Sequence, residues 1–447
     1  MSEGGQEIAE SETESIAVRG QGPTARRMLA LWVPLAASIV MMVLEPSIIN
    51  IGLGRTDDPE LALGAYNVAF SLALLVEAPI LMLLDASVAR AIDRPAFVLI
   101  RRFTLGLGVV VTVVGLVVSL TPLYGVIVEQ WMDIPSDVAA RARPTLQILS
   151  FWSMPIAWRR AHQGVLIRHG RTAVITAATG VRLLSLAGAL FAGLYILPER
   201  GAVVAGIAMD VSVVVEATLI TLATRPILRL PSFRVPTTGG GSSLSLRDLW
   251  RFYQPLAVTT LLRQSSRPLL NAGIAAAVLP RASLAAWPVA WGLAILVTGP
   301  AWSLQQLTTA LAEDEDSYAR VRRFALSLSV GFTLLLGLVA FTPLYGMMMG
   351  GVYNLAPDLQ VLALPGMRLM AVLPLVMGTQ ALLRGRLIRG GCTGVVRTAM
   401  ALNVLTLGGT LLLGTAIWAL PGVTVAAVAT LAGQLVELGW LRARAIC

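Results

Sequence analysis

Arg263, Arg267 and Asn271 stand at i, i+4 and i+8 in an otherwise apolar stretch. On a helix that spacing puts all three on one face. Two guanidinium groups one turn apart make a fork for phosphate or carboxylate oxygens. The alternative is a set of ion pairs to Glu45, Glu77 or Asp210 that lock helices together. Arg159, Arg182 and Arg368 also fall inside apolar stretches and are further candidates for binding an anion. Arg160 follows Arg159 directly, so the two cannot face one spot; one of them pairs with Asp210 or reaches for the surface. Arg397 lies near a stretch end, where a long side chain snorkels.

The acidic candidates are Glu45, Glu77 and Asp210. A carboxylate at membrane depth is costly and marks an ion path or a counter-ion. Glu45 thus reads as a proton- or cation-coupling group or as the partner of Arg267. His162 reads either as a proton relay or as a histidine satisfied within the bundle. Glu216 and Glu437 occupy equivalent places in a repeat described below and read as structural. Seven arginines against four carboxylates in the stretches leave an excess of positive charge, which favours an anionic cargo over a lipophilic cation.

These residues need elements that hold them in a bilayer. The chain has 447 residues, 56% hydrophobic and only 13% charged, with a mean hydropathy of +0.76. A soluble domain carries about twice that charge, roughly 25%. The apolar residues come in long unbroken runs, which excludes the alternating ten-residue strands of a membrane barrel. The expected fold is all-α and polytopic, with twelve spans near 28–53, 61–84, 98–124, 144–167, 172–197, 201–224, 249–275, 282–311, 322–347, 357–383, 394–419 and 421–441. Residues 1–27 begin with Glu3, Glu7, Glu10, Glu12 and Glu14 and read as a disordered cytoplasmic tail rather than a signal peptide.

All 34 bases are arginine, for a net charge of +9. With both termini inside, 22 arginines lie in cytoplasmic segments and five outside: Arg55, Arg141, Arg143, Arg200 and Arg281. That asymmetry sets the orientation and accounts for the positive charge without a nucleic-acid partner. The expected location is the plasma (inner) membrane. Cys392 and Cys447 are too few for a disulfide framework or a cysteine metal cluster, and no metal site or cofactor is expected.

A shift of 221 residues superposes the chain on itself. Pro34-Leu35-Ala36 falls on Pro255-Leu256-Ala257, Asn50 on Asn271, and Arg101-Arg102-Phe103 on Arg322-Arg323-Phe324. Thr121-Pro122-Leu123-Tyr124-Gly125 recurs as Thr342-Pro343-Leu344-Tyr345-Gly346, and Leu166-Ile167-Arg168 as Leu387-Ile388-Arg389. The division is a tail (1–27), a six-helix bundle (28–224), a cytoplasmic linker (225–248) and a second six-helix bundle (249–447). Six spans per half make this a parallel repeat, whose two bundles rock about a central cleft. Pro79, Pro300, Pro122 and Pro343 read as repeat-related kinks. No Walker loop is present, and no catalytic Ser-His or Cys-His spacing suggests an enzyme. The turn Leu84-Asp85-Ala86-Ser87-Val88-Ala89-Arg90 lacks the major facilitator pattern.

The segment Arg263-Gln264-Ser265-Ser266-Arg267-Pro268-Leu269-Leu270-Asn271 resembles the seventh span of the progressive ankylosis protein family. Trp158-Arg159-Arg160-Ala161-His162-Gln163-Gly164-Val165-Leu166 resembles its fourth span. That family sits in the multidrug/oligosaccharidyl-lipid/polysaccharide (MOP, MATE-like) exporter superfamily. The resemblance implies alternating-access export of a small polyanion such as pyrophosphate, a nucleotide or citrate, coupled to H+ or Na+. The rivals are a MATE-type polyspecific drug exporter and a flippase of an anionic lipid-linked sugar.

Overall fold

The computed structural model describes residues 23–230, 233, 245–390 and 392–444. Most of the acidic tail and most of the linker lie outside them. The described residues are helical apart from turns and one isolated parallel bridge, Val278 to Pro421. The first half holds α1 (Ala25–Leu53), α2 (Pro59–Leu81), α3 (Leu83–Arg90), α4 (Arg94–Leu120), α5 (Ser136–Leu149), α6 (Ser153–Arg168), α7 (Thr172–Ile196) and α8 (Gly201–Leu228). The second holds α9 (Leu246–Gln264), α10 (Ser266–Ala275), α11 (Pro280–Trp302), α12 (Leu304–Leu311), α13 (Glu315–Phe341), α14 (Pro357–Met370), α15 (Leu373–Arg389), α16 (Thr393–Ile417) and α17 (Gly422–Ala443).

The repeat extends to the helix ends. Both ends of α2 and α11, of α3 and α12, of α4 and α13, and of α5 and α14 lie 221 residues apart. Shared local chemistry explains this. Asp93 and Asp314, equivalent residues, cap α4 and α13 by accepting from the Ala96 N–H at 2.9 Å and the Ser317 N–H at 2.7 Å, which satisfies donors a helix start leaves open. Pro59 and Pro280 open α2 and α11, where proline's missing donor costs nothing.

The repeated pentapeptide is a helix terminator rather than a kink. Thr121 and Thr342 turn extended, and α4 and α13 end at Leu120 and Phe341, short of the expected 124 and 347. Tyr124 and Tyr345 donate their hydroxyls to the Ala139 and Gln360 carbonyls, each at 2.6 Å. A π-helical turn follows in each half (Val126–Trp131 and Met347–Val352), then a left-handed residue, Asp133 or Asn354, each at φ 54°.

Among the described residues, ten helical stretches are long and apolar enough to cross a membrane. This departs from the twelve expected spans at 144–167 and 249–275. The first is broken between α5 and α6 and the second between α9 and α10. Arg159 and Arg160 dilute the first, Arg263 and Arg267 the second. Large apolar side chains such as Val110, Leu184, Leu334 and Leu412 stay exposed around the bundle, as a lipid-facing surface requires.

The halves meet along α1, α2, α9, α10 and α11. Two amide bonds in this seam are repeat-equivalent: Asn50 Nδ2 donates to the Pro288 carbonyl at 2.9 Å, and Asn271 Nδ2 to the Asn67 carbonyl at 3.4 Å. At the end of the seam where the loops carry few arginines, Asn354 Nδ2 donates to the Gly54 carbonyl at 2.6 Å. A Cβ on Gly54 would strike the Tyr353 carbonyl, so only glycine permits this approach. Arg281 joins Asp58 (3.0 Å), Glu60 (3.3 Å) and Asp137 (2.9 Å) across the same gap. At the opposite end the starts of α1 and α9 cross over. Trp32 of α1 packs on Phe324 and Phe332 of α13, with ring centroids 6.4 and 6.2 Å apart. Tyr253 of α9 packs on Phe103 of α4 at 5.1 Å and donates its hydroxyl to the Pro79 carbonyl. Trp32 and Tyr253, like Phe103 and Phe324, are repeat mates.

Candidate functional site

The first half encloses a charged cluster. Glu216 of α8 is buried and clasped by Arg159 of α6. Gln163, one turn along α6, donates to Glu216 Oε1 at 3.3 Å, and Thr179 of α7 donates to the same oxygen at 3.1 Å. Arg182 of α7 lies 3.5 Å from Glu216 and 2.5 Å from Glu45 of α1. The expectation that Arg159 and Arg182 present free guanidinium groups to cargo is therefore corrected: both are held by carboxylates. Glu45 is likewise the partner of Arg182, not of Arg267. Helical spacing gave the face of each residue but not which neighbouring helix that face meets.

The second half builds the same pocket with the residues exchanged. Glu437, the equivalent of Glu216, is clasped by Arg384 and accepts from Asn403 Nδ2 at 2.8 Å. Arg384 stands where Gln163 stands in the first half, and Gln380 stands where Arg159 does. Gln380 donates instead to the Gln434 carbonyl at 2.7 Å. One arginine thus clasps each buried glutamate, from positions a turn apart, and the glutamine joins it only in the first half.

Three candidates remain in the first half. Glu77 of α2 is buried within electrostatic reach of Arg160, Arg159 and Arg182. Its Oε2, like Asp210 Oδ1, has no hydrogen-bond partner among the described residues. His162 sits 4.6 Å from the Trp158 ring and 5.3 Å from that of Phe97, with Nδ1 at 2.8 Å from the Trp158 carbonyl. Aromatic rings and its own helix hold it, and it has no carboxylate partner among the described residues.

The α9–α10 stripe divides. Asn271 is buried and spent on the seam: it accepts from Asn67 Nδ2 at 2.8 Å and donates to Ser71 Oγ at 2.8 Å. It is not available to cargo. Arg263 and Arg267 are exposed, on either side of the break at Ser265. Neither forms an ion pair among the described residues. Arg267 crosses to the first half, its guanidinium carbon 5.8 Å from the centre of the Phe70 ring. Arg263 lies within electrostatic reach of Asp85 and Arg384.

Sequence reasoning passed over Tyr66. It stacks on Phe70 at 5.5 Å and leaves its hydroxyl buried and unbonded among the described residues. Glu45, Arg182, Asp210 and Arg267 all lie within electrostatic reach of it, so it stands between the first-half cluster and Arg267. A signal existed: Tyr66 and Phe70 have Trp287 and Trp291 as repeat mates, also stacked, at 5.6 Å.

Arg368 lies elsewhere. It is exposed on the outer surface of the second half, its guanidinium carbon 5.4 Å from the centre of the Phe341 ring. Depth in the sequence placed it in a span but not on a side of it.

No family model matches the chain, and no curated protein does. Solved structures do. A multidrug resistance MATE family transporter of the MOP superfamily aligns in its inward-facing conformation over 92% of this chain and 97% of its own, at 16% identity and a TM-score of 0.66. In its outward-facing conformation such a transporter aligns over 94% and 95%, at 16% identity and a TM-score of 0.62. A MOP superfamily transporter from Pyrococcus furiosus, described as having a binding pocket of reversed polarity that suggests a different function, aligns over 94% and 95%, at 15% identity and a TM-score of 0.62. The chain has the fold of these transporters.

Proposed function

We propose that the chain is a secondary transporter that moves a small anionic solute across the membrane by alternating access, with Arg263 and Arg267 as the fork that receives the anion. One observation carries the reading. Arg159, Arg182 and Arg384 are neutralised by Glu216, Glu45 and Glu437, while Arg263 and Arg267 are exposed at the seam with no carboxylate bound among the described residues. Unpaired guanidinium groups at membrane depth are tolerated where they face a cavity. The Pyrococcus furiosus transporter, with its pocket of reversed polarity, supports the cargo class. The likeness to both inward- and outward-facing structures supports the alternating mechanism. Pyrophosphate, nucleotides and citrate are the solutes of choice for testing. Glu77 and Asp210 are the coupling carboxylates for H+ or Na+, and both termini are cytoplasmic in a plasma-membrane protein.

A polyspecific drug exporter is the second reading, favoured by Glu77 and Asp210, each with one carboxylate oxygen unbonded among the described residues, which suit a cationic cargo. The flippase reading needs a lateral opening between the first and eighth spans. There α1 and α11 pack together and are bonded through Asn50 and Pro288, which gives it no support.

The test is uptake by proteoliposomes of labelled pyrophosphate, nucleotide and citrate beside a cationic dye. One of the anions is taken up, and Arg267→Gln with Arg263→Gln reduces that uptake about tenfold or more, the weight of one to two charge-assisted contacts. Dye movement with no anion movement replaces this reading with the drug-exporter one.

A further inference from the structure

We propose that the groove between α13 and α14 is a binding site for an anionic phospholipid, with the headgroup phosphate on Arg368 and an acyl chain along α13. The groove measures about 800 Å³ and is walled by Leu334, Leu338 and Phe341 of α13 with Arg368, Ala371 and Val372. The three α13 side chains are 67%, 51% and 63% exposed, so the wall faces the bilayer and not the seam between the halves. Arg368 is the charged group in the lining, and no acidic side chain or carbonyl among the described residues accepts from it.

The repeat supplies an internal comparison. Arg143 of α5 lies one turn earlier in register, matching Leu364, and the fold consumes it. It donates to the carbonyls of Ser119 (2.7 Å), Leu120 (3.0 Å) and Thr121 (3.3 Å) at the end of α4. Arg368 matches Gln147, and the carbonyls that end α13 are not its partners. The floor of the groove differs too. Gly337 replaces Leu116, and a Cβ there would meet nothing within 4 Å. The second half has thus exchanged a capping arginine and a leucine for a guanidinium that lies over the Phe341 ring, with no acceptor among the described residues, above an apolar trough.

An exposed arginine beside lipid chains is costly unless an anion meets it. Phe341 is the last residue of α13, so Arg368 reaches the level where phosphates lie, with the leucines below it in the chain region. A diacyl lipid uses both parts; a free phosphate would use only the arginine.

The full chain, purified in detergent and stripped of lipid, is titrated with phosphatidylglycerol, phosphatidylcholine and glycerol phosphate. Retention is read by native mass spectrometry and thermal unfolding. Phosphatidylglycerol binds and raises the unfolding temperature. Its affinity falls about tenfold in Arg368→Gln, the size of one charge-assisted contact, and recovers in part in Arg368→Lys. Gly337→Leu, which fills the trough and leaves the arginine, weakens it as well. Both positions are exposed or open, so the variants keep the wild-type fold. Equal retention in wild type and both variants overturns the proposal. Glycerol phosphate binding as tightly as the diacyl lipid also overturns it, as does phosphatidylcholine showing the same dependence on Arg368.

Discussion

Replacing Glu216 by glutamine isolates the role of Arg159. The side chains of the pair are 1% and 7% exposed, so neither charge has water to fall back on. The substitution keeps the shape and leaves an oxygen for Gln163 and Thr179. Arg182 retains Glu45 at 2.5 Å, but Arg159 is left without a carboxylate. Stranding one charge of a buried pair costs about 3–5 kcal/mol. The equivalent change in the second half, Glu437→Gln, strands Arg384, whose side chain is 25% exposed. Water reaches that guanidinium, and the expected cost falls to about 1–3 kcal/mol. The double change Arg159→Gln with Glu216→Gln installs at 159 the residue already present at 380 and removes the stranded charge, so it is more stable than Glu216→Gln alone. Equilibrium denaturation in a mild detergent measures all three variants against wild type. If Glu216→Gln costs no more than Glu437→Gln, or if the double variant is as unstable as the single one, Arg159 is not held for structure. It then belongs with the residues that meet cargo.

Further outcomes follow from the seam and the helix caps. Arg281 and its three acidic partners are each about a third to a half exposed, so Arg281→Gln changes stability by no more than about 1 kcal/mol. It nevertheless releases the tie between the halves, so spin labels at positions 55 and 278 move apart, as they do in wild type at high salt; an unchanged distance distribution refutes this. Asn354→Asp keeps a residue that tolerates the left-handed backbone, as Asp133 does, but removes the donor to Gly54. It therefore costs about 1 kcal/mol in the same denaturation measurement, and no loss would show that the bond carries nothing. The backbone N–H and hydroxyl of Ser317 hold the Asp314 carboxyl below its usual range. A lowered folded-state value means the cap contributes fully above the ordinary aspartate range and is lost as pH falls through the folded value. Asp314→Ala accordingly lowers stability at neutral pH and flattens the acid side of the stability profile; an acid limb that keeps its slope argues against the cap.

The sequence carried the repeat, and the repeat carried much of the architecture. An offset found in Asn50/Asn271 and in the pentapeptide turned out to govern helix ends, caps and bonds across the seam. The membrane class was legible for the same reason: runs of apolar residues have few other uses. The partners of the arginines were not legible. Residues 159 and 163, like 263 and 267, advertise a shared face, but whether that face meets Glu216, Phe70 or lipid depends on how helices distant in the chain rotate against each other. Asn271 shows the cost of reading a stripe as a unit. Its neighbours at 263 and 267 stay open while it is consumed by Asn67 and Ser71. The helix break at Ser265 was equally hidden, because Pro268 signals a disturbance without fixing where it falls.

The crossing of α1 and α9 has a mechanical consequence. Each half lends its first helix as a strap laid over the other, Trp32 on one side and Tyr253 on the other, fastened to matching phenylalanines. Neither bundle can swing away from its twin on that side while a single strap stays fastened. Unbuckling is therefore a joint event, and a defect that loosens one strap lowers the barrier for both.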